Sequence, residues 1–256
     1  MIKEGRYYET AGLKPLDLIL FKGTEFVSKS LIKIMKTRIK HIDNKDIDDF
    51  SHVGMIVTKE LLDLPEMTPG KLYIFEAIYS GRMTDGVKNI YGKSFFGTQI
   101  RDFDDVMFNN DKHANVHIAV VPLKNNPLYG PDGEKVKRRF KVAFEKYNNV
   151  RFEGNIFSML GALYPKFRCI RNFTEQVFER KRWMFCSELC AQVYKDIGIL
   201  KEDAEPRNVV PLDFIGFDQD GDITQGIFDK HFLITNFSKS RSNFITSPSP
   251  PKYDQI

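Results

Sequence analysis

Three side chains in this sequence pair reactive chemistry with a position that a bland residue would fill equally well. Cys186 starts a helical pattern, CSELCAQVYKDI, just after the aromatic run Trp183-Met184-Phe185. A thiol in the first turn of a helix faces backbone N–H groups with no intrahelical acceptor, at the positive end of the macrodipole. Both favour the thiolate, the nucleophilic form of sulfur. His52 opens an apolar strand, His52-Val-Gly-Met-Ile-Val57, directly after Ser51. A neighbouring imidazole would take up the thiol proton. Glu76 lies inside the apolar run Leu72-Tyr-Ile-Phe-Glu-Ala-Ile-Tyr79. Strand alternation puts Tyr73, Phe75, Ala77 and Tyr79 on one face and Leu72, Ile74, Glu76 and Ile78 on the other. A carboxylate on an otherwise aliphatic face calls for a partner. Taken singly, each residue also has a structural reading. Cys186 packs as a small apolar group, His52 satisfies itself with local hydrogen bonds, and Glu76 faces solvent on an amphipathic strand.

The elements that must position these groups follow from periodicity and punctuation. Asp17-Leu-Ile-Leu-Phe21 reads as a buried strand. Thr24 reads as the N-cap of a helix reaching about Arg38, and His41 to Asp49 as a polar loop. Two strands follow at 52–57 and 72–79, then a Gly-rich connection from Gly81 to Gly97 and a fourth strand at Val116–Leu123. Glu134 to about Tyr147 is helical, with Val136, Phe140 and Phe144 four residues apart. Residues 155–181 are helical with a break at Pro165. The helix at Cys186 runs to Ile197 and stops at Gly198. Pro211–Phe214 opens a last segment, and His231–Thr235 reads as a closing strand. Strands in clusters and helices in blocks predict an α+β domain with an antiparallel sheet.

The 256 residues suit one large domain and hide enough surface for a substantial core. With 42% apolar and 28% charged residues, and 22 Phe against one Trp, the chain is neither disordered nor a small disulfide scaffold. A net charge of +4 does not argue for nucleic acid. Three Cys and five His do not form a zinc cluster of the CxxC type, and a reduced, intracellular, cytoplasmic chain is expected. The opening MIKEGRYYETAGLKPLD has no apolar core of a signal peptide, and no stretch is long and apolar enough to predict a spanning helix. The expected organisation is an extension at 1–12, one domain at 13–246, and a Pro/Ser-rich mobile tail at 247–256.

The motif order resembles a known family. The strand Pro15-Leu16-Asp17-Leu18-Ile19-Leu20-Phe21, the helix after it, Ser51-His52-Val53-Gly54, Phe75-Glu76-Ala77 and the late Phe185-Cys186-Ser187-Glu188-Leu189 look like the circularly permuted branch of the NlpC/P60 superfamily. That branch includes bacterial YiiX-like hydrolases and a poxvirus protein group, and is related to lecithin:retinol acyltransferase-like enzymes. In ordinary NlpC/P60 proteins the Cys precedes the His; in the permuted branch the His strand comes first, as here. Val210-Pro211-Leu212-Asp213-Phe214 resembles a Pro-containing segment that follows the Cys helix in this branch. The resemblance spans about residues 13–215. It implies a papain-like fold and a thiol hydrolase with Cys186 as nucleophile, His52 as general base and Glu76 as the residue orienting the imidazole, with no metal or other cofactor. The implied substrate carries an amide or an ester, in a peptide or a lipid. Two departures stand out: Leu16 replaces the usual Gly before the first Asp, and long insertions occupy the regions around 81–115 and 125–180.

Two rival functions remain open. A lipid-directed acyl hydrolase or acyltransferase would suit the basic amphipathic pattern of residues 24–40, where Lys29, Lys33, Lys36, Arg38 and Lys40 accompany Phe26, Val27, Leu31, Ile34 and Met35. Packing of that helix on the sheet is the simpler reading. A catalytically inactive binding module on the same fold is the second rival. Other features are assigned structural roles. Cys190 shares the Cys186 helix face and reads as core, Cys169 as packing, and Glu188 as a surface or capping residue. Asp218-Gln-Asp-Gly-Asp222 has its Gly misplaced for an EF-hand and reads as a turn. His113, His117 and His231 read as solvated or hydrogen-bonded residues. The run Lys135–Lys141 reads as the wet face of a helix, without the aromatics of a nucleic-acid platform.

Overall fold

The structure is a computed structural model that describes residues 12–22, 50–78, 87–94, 96–112, 118–152, 183–215, 227–229 and 232–234. Five main strands build the sheet: β1 (Leu18–Lys22), β2 (Phe50–Thr58), β3 (Leu72–Ile78), β4 (Gly97–Asp102) and β5 (Ile118–Val121). Short strands β6 (Arg151–Phe152), β7 (Trp183–Met184) and β8 (Phe232–Ile234) extend it to the order β7-β6-β4-β3-β2-β1-β5-β8. All described pairings are antiparallel except β6 with β7, which run parallel. The described helices are α1 (Lys59–Leu62), α2 (Phe103–Lys112), α3 (Gly133–Tyr147) and α4 (Cys186–Asp196). Strands that pair antiparallel, with helices on the faces of the sheet, make this an α+β fold.

Both faces of the sheet are covered, so its strands read as near-continuous apolar runs. On the larger face, Leu18, Leu20, Val53, Met55, Val57, Tyr73, Phe75 and Ala77 pack with α3 and α4. On the other, Ile19, Phe21, Ile56, Leu72 and Ile74 pack with Phe103, Val106 and Met107 of α2. The region 81–115, expected as a connection and insertion, therefore contributes β4 and α2 to the body of the fold. The predicted helix near 134–147 matches α3, whose Val136, Phe140, Ala143 and Phe144 are buried in the main core. The run Lys135–Lys141 alternates exposed cations with these buried positions, as on the outer side of a packed helix.

Two local irregularities shape the sheet near its first strand. The β1–β2 register shifts between Phe21, which pairs with His52, and Lys22, which pairs with Phe50. Ser51 is the extra residue of a β-bulge, and the bulge turns Phe50 onto the larger core face with Val53. The second is Leu16, at φ +74°, a conformation that favours Gly. Its N–H donates to Ile56 O at 2.8 Å, its carbonyl accepts from the Tyr194 hydroxyl of α4, and its side chain is fully buried. Asp17 then accepts from Leu123 N–H at 2.9 Å and from Lys14 N–H at 2.8 Å. The Leu16 turn thus adopts a Gly-type conformation without the Gly and ties β1, β2, β5 and α4 together.

Residues 1–11, the predicted helix from Thr24 to Arg38, the 155–181 helical region and the tail lie outside the described residues. So do Cys169, His113, His117, His231 and the segment Asp218–Asp222. No helix among the described residues is long and apolar enough to cross a membrane.

Candidate active site

His52 and Glu76 come together through strand register. Gly54 of β2 lies directly opposite Glu76 of β3. His52, two residues from Gly54, shares that face, offset towards the C-terminal end of β3. The diagonal neighbour is within reach of a long side chain, and Glu76 Oε2 meets His52 Nε2 at 2.6 Å. Gly54 keeps this corridor clear. A Cβ there would stand 2.4 Å from Ile74 Cγ2 and 3.2 Å from Glu76 Cβ. His52 also stacks, tilted, on Phe21, its partner across β1, with ring centroids 5.6 Å apart.

Cys186 reaches the same imidazole from α4. The helix starts immediately after β7, with Phe185 extended at φ −82°, ψ 162°. Glu188 accepts from the Phe185 N–H at 3.4 Å and pairs with Arg207, so the capping role expected of it is present. Ser187 donates to Val209 O at 2.7 Å, which fastens the first turn to the segment before the 3₁₀ turn Pro211–Ile215. Within that segment the Val210 N–H donates to Asp213 Oδ2 at 2.8 Å. The far end of α4 closes on Gly198 at φ +83°, with Ile199 N–H bonded back to Tyr194 O.

The electrostatics follow from these contacts. Burial opposes charge on His52, yet the hydrogen-bonded Cys186 and then Glu76 outweigh it and raise its pKa to about 10. With Nε2 bonded to Glu76, the ring's Nδ1 is the nitrogen left for the sulfur. Burial alone would raise Glu76, but the Arg101 guanidinium and the His52 bond bring it down to about 2. Glu76 is fully buried, and Arg101 Nε donates to its Oε1 at 2.7 Å. His52 keeps a quarter of its side chain exposed, so the site opens to solvent at the imidazole. Cys190, one turn along α4, is a free, fully buried thiol. Burial first, then the neighbouring Cys186 and Glu76, push its pKa well up.

The structure brings together all three residues singled out in the sequence and adds Arg101. That residue escaped notice because β4 itself did. The available signal was the demand of Glu76 for a partner, which named no candidate. Such a thiol–imidazole–carboxylate line can move a proton off sulfur and hold the resulting imidazolium. No group of His, Cys, Asp and Glu among the described residues could hold a metal ion. No protein-family model and no curated protein sequence matches this chain.

Proposed function

We propose that this chain is a thiol-dependent hydrolase of the papain-like, circularly permuted NlpC/P60 type, cleaving an amide or an ester. One observation carries the reading. An imidazole bonded through Nε2, at 2.6 Å, to a fully buried carboxylate lies beside a cysteine at the start of a helix, and both neighbours raise its pKa. In the first step His52 Nδ1 accepts the Cys186 proton and the sulfur forms a bond to the substrate carbonyl carbon. The carbonyl π electrons move to oxygen. Backbone N–H groups of the first turn of α4, near Cys186 and Ser187, would meet that oxyanion. As the C–N or C–O bond breaks, the imidazolium returns the proton to the leaving group and a thioester remains. Water then gives a proton to His52 and its oxygen to the acyl carbon, and Cys186 leaves as the free thiol. Glu76 stays ionised throughout and stabilises the imidazolium.

The test uses the full chain. Iodoacetamide should alkylate Cys186 faster than Cys169 or Cys190, and His52→Ala should slow that reaction by at least about tenfold, as expected on losing a positioned base. A panel of aminomethylcoumarin amides and methylumbelliferyl esters, quenched in acid, should yield a hydroxylamine-labile acyl mass on Cys186 that His52→Ala diminishes. The member of the panel that acylates decides amide against ester. Equal alkylation of the three thiols, indifferent to His52, would defeat the proposal.

A further inference from the structure

The structure assigns to Arg101 a positioning role in this site: its bond to Glu76 holds that carboxylate ionised and aimed, so that Glu76 orients His52 and stabilises the imidazolium that takes up the Cys186 proton. The inference rests on the thiol-hydrolase reading and extends it by one residue. Register sets the geometry. Glu76 lies opposite Gln99 of β4, and Arg101 lies opposite Ile74, so Arg101 is the diagonal neighbour of Glu76 on β4 just as His52 is on β2. The two diagonals point towards opposite ends of β3. Arg101, Glu76 and His52 therefore form one oblique line across three strands. Each carboxylate oxygen has its own partner, Oε1 with Arg101 Nε at 2.7 Å and Oε2 with His52 Nε2 at 2.6 Å.

That division decides which way the imidazole faces. An ionised Glu76 only accepts, so Nε2 carries a ring hydrogen and Nδ1 is the nitrogen that exchanges a proton with the thiol. A protonated Glu76 would donate to Nε2. The neutral ring would then carry its hydrogen on Nδ1, towards the sulfur, and could not take the thiol proton. A fully buried carboxyl with no cation beside it would drift to the protonated form, because burial disfavours the charge. Among the described residues, the charged or titratable groups acting on Glu76 are Arg101 on β4 and His52 on β2, with Cys190 of α4 in electrostatic reach. Of these, Arg101 alone is a permanent cation, since a guanidinium does not deprotonate in proteins. Its side chain is itself 5% exposed, so the charge acts at short range and out of solvent.

The test compares Arg101→Met, Arg101→Lys, Glu76→Gln and Arg101→Met/Glu76→Gln in the full chain. The readouts are the pH profile of Cys186 alkylation by iodoacetamide and the ¹⁵N chemical shifts of His52, which report its tautomer. Arg101→Met should slow alkylation at neutral pH at least tenfold and convert His52 from the imidazolium to the neutral ring with its hydrogen on Nδ1. Arg101→Lys should restore the rate to within about threefold and keep the imidazolium. If Arg101→Met fails to fold, the pair of Gln variants decides: with the carboxylate gone, removing Arg101 should change the rate less than twofold. A folded Arg101→Met with an unchanged tautomer and pH profile would overturn the role, and so would a further tenfold loss on adding it to Glu76→Gln. Either result would leave the triad standing. The triad itself fails separately, if Cys186→Ala leaves the His52 titration where it was.

Discussion

Replacing Gly54 by Ala tests the claim that the site depends on a bare backbone between Ile74 and Glu76. The new methyl would be 2.4 Å from Ile74 Cγ2 and 3.2 Å from Glu76 Cβ. The first distance is far inside van der Waals contact, and the clashing atom belongs to a β-branched side chain with little χ1 freedom. Ile74 is fully buried, so it has nowhere to swing. Overpacking of this kind costs about 1–3 kcal/mol. Ile74→Ala removes the clashing carbon but leaves a cavity, at about 2–5 kcal/mol. If the clash is the cause, the double variant should be less destabilised than the sum of the singles by at least about 1 kcal/mol, since contacting residues couple by that order. Urea unfolding followed by circular dichroism gives the four stabilities of the cycle. Alkylation of Cys186 should fall in Gly54→Ala, as Glu76 is pushed off His52, and recover in the double variant. Additivity within about 0.5 kcal/mol, the range for independent sites, would refute the argument.

Leu16→Gly should be no more destabilising than Leu16→Ala, the reverse of the usual order. Both lose the same buried side chain, but Gly alone relieves the φ +74° strain of about 1–2 kcal/mol; thermal melts showing Gly worse than Ala by more than about 1 kcal/mol would contradict it. Ser51→Ala should leave stability unchanged or raise it by about 0.5–1 kcal/mol, because the bulged Ser51 hydroxyl is buried without a hydrogen-bond partner among the described residues; a clear loss in urea unfolding would count against it. Two carboxyls should bend the acid stability curve in opposite directions. Glu76, lowered from 4.5 to about 2 by Arg101 and His52 against burial, gives stability that is present above pH 4.5 and lost as pH falls towards 2. Asp17, raised from 3.8 to about 6 by burial, gives stability that is present below pH 3.8 and lost as pH rises through 6. Denaturant midpoints measured across pH should lose the first limb in Glu76→Gln and the second in Asp17→Asn, and a limb that survives its variant disproves its assignment.

The parts of the fold legible in the sequence are those where burial and punctuation agree. β1, β2 and β3 are apolar runs, two of them bounded by Pro, Gly or polar loops, and α4 starts and stops where its cap residues place it. β4 escapes a sequence reading because its side chains are largely polar. Thr98 is spent on the Tyr147 carbonyl and Arg101 on Glu76, so a central strand carries the residues of a loop. The helix α2 does show a spacing, with Phe103, Val106 and Met107 three and four apart, but without β4 beside it there is no surface for that stripe to pack on. The bulge at Ser51 leaves no trace in the sequence, since the strand read there, His52 to Val57, begins after the extra residue.

The two cysteines of α4 show why residue type alone could not settle the site. Cys186 and Cys190 are one turn apart, both free and both buried. Cys186 lies beside His52 at the start of the helix, where the imidazole is a quarter exposed. Cys190 lies in the main core, and burial and its neighbours Cys186 and Glu76 push its thiol pKa well up. Of the two, Cys186 alone has both a base beside it and an approach from solvent near it. The selectivity therefore belongs to the surroundings: a register that sets His52 beside Glu76, a cation on the next strand, and a helix whose first residue meets the far nitrogen of the ring. Moving the cysteine by one turn, with Cys186→Ala and Cys190 kept, would leave a thiol on the same helix but no alkylation above the rate of a buried core residue.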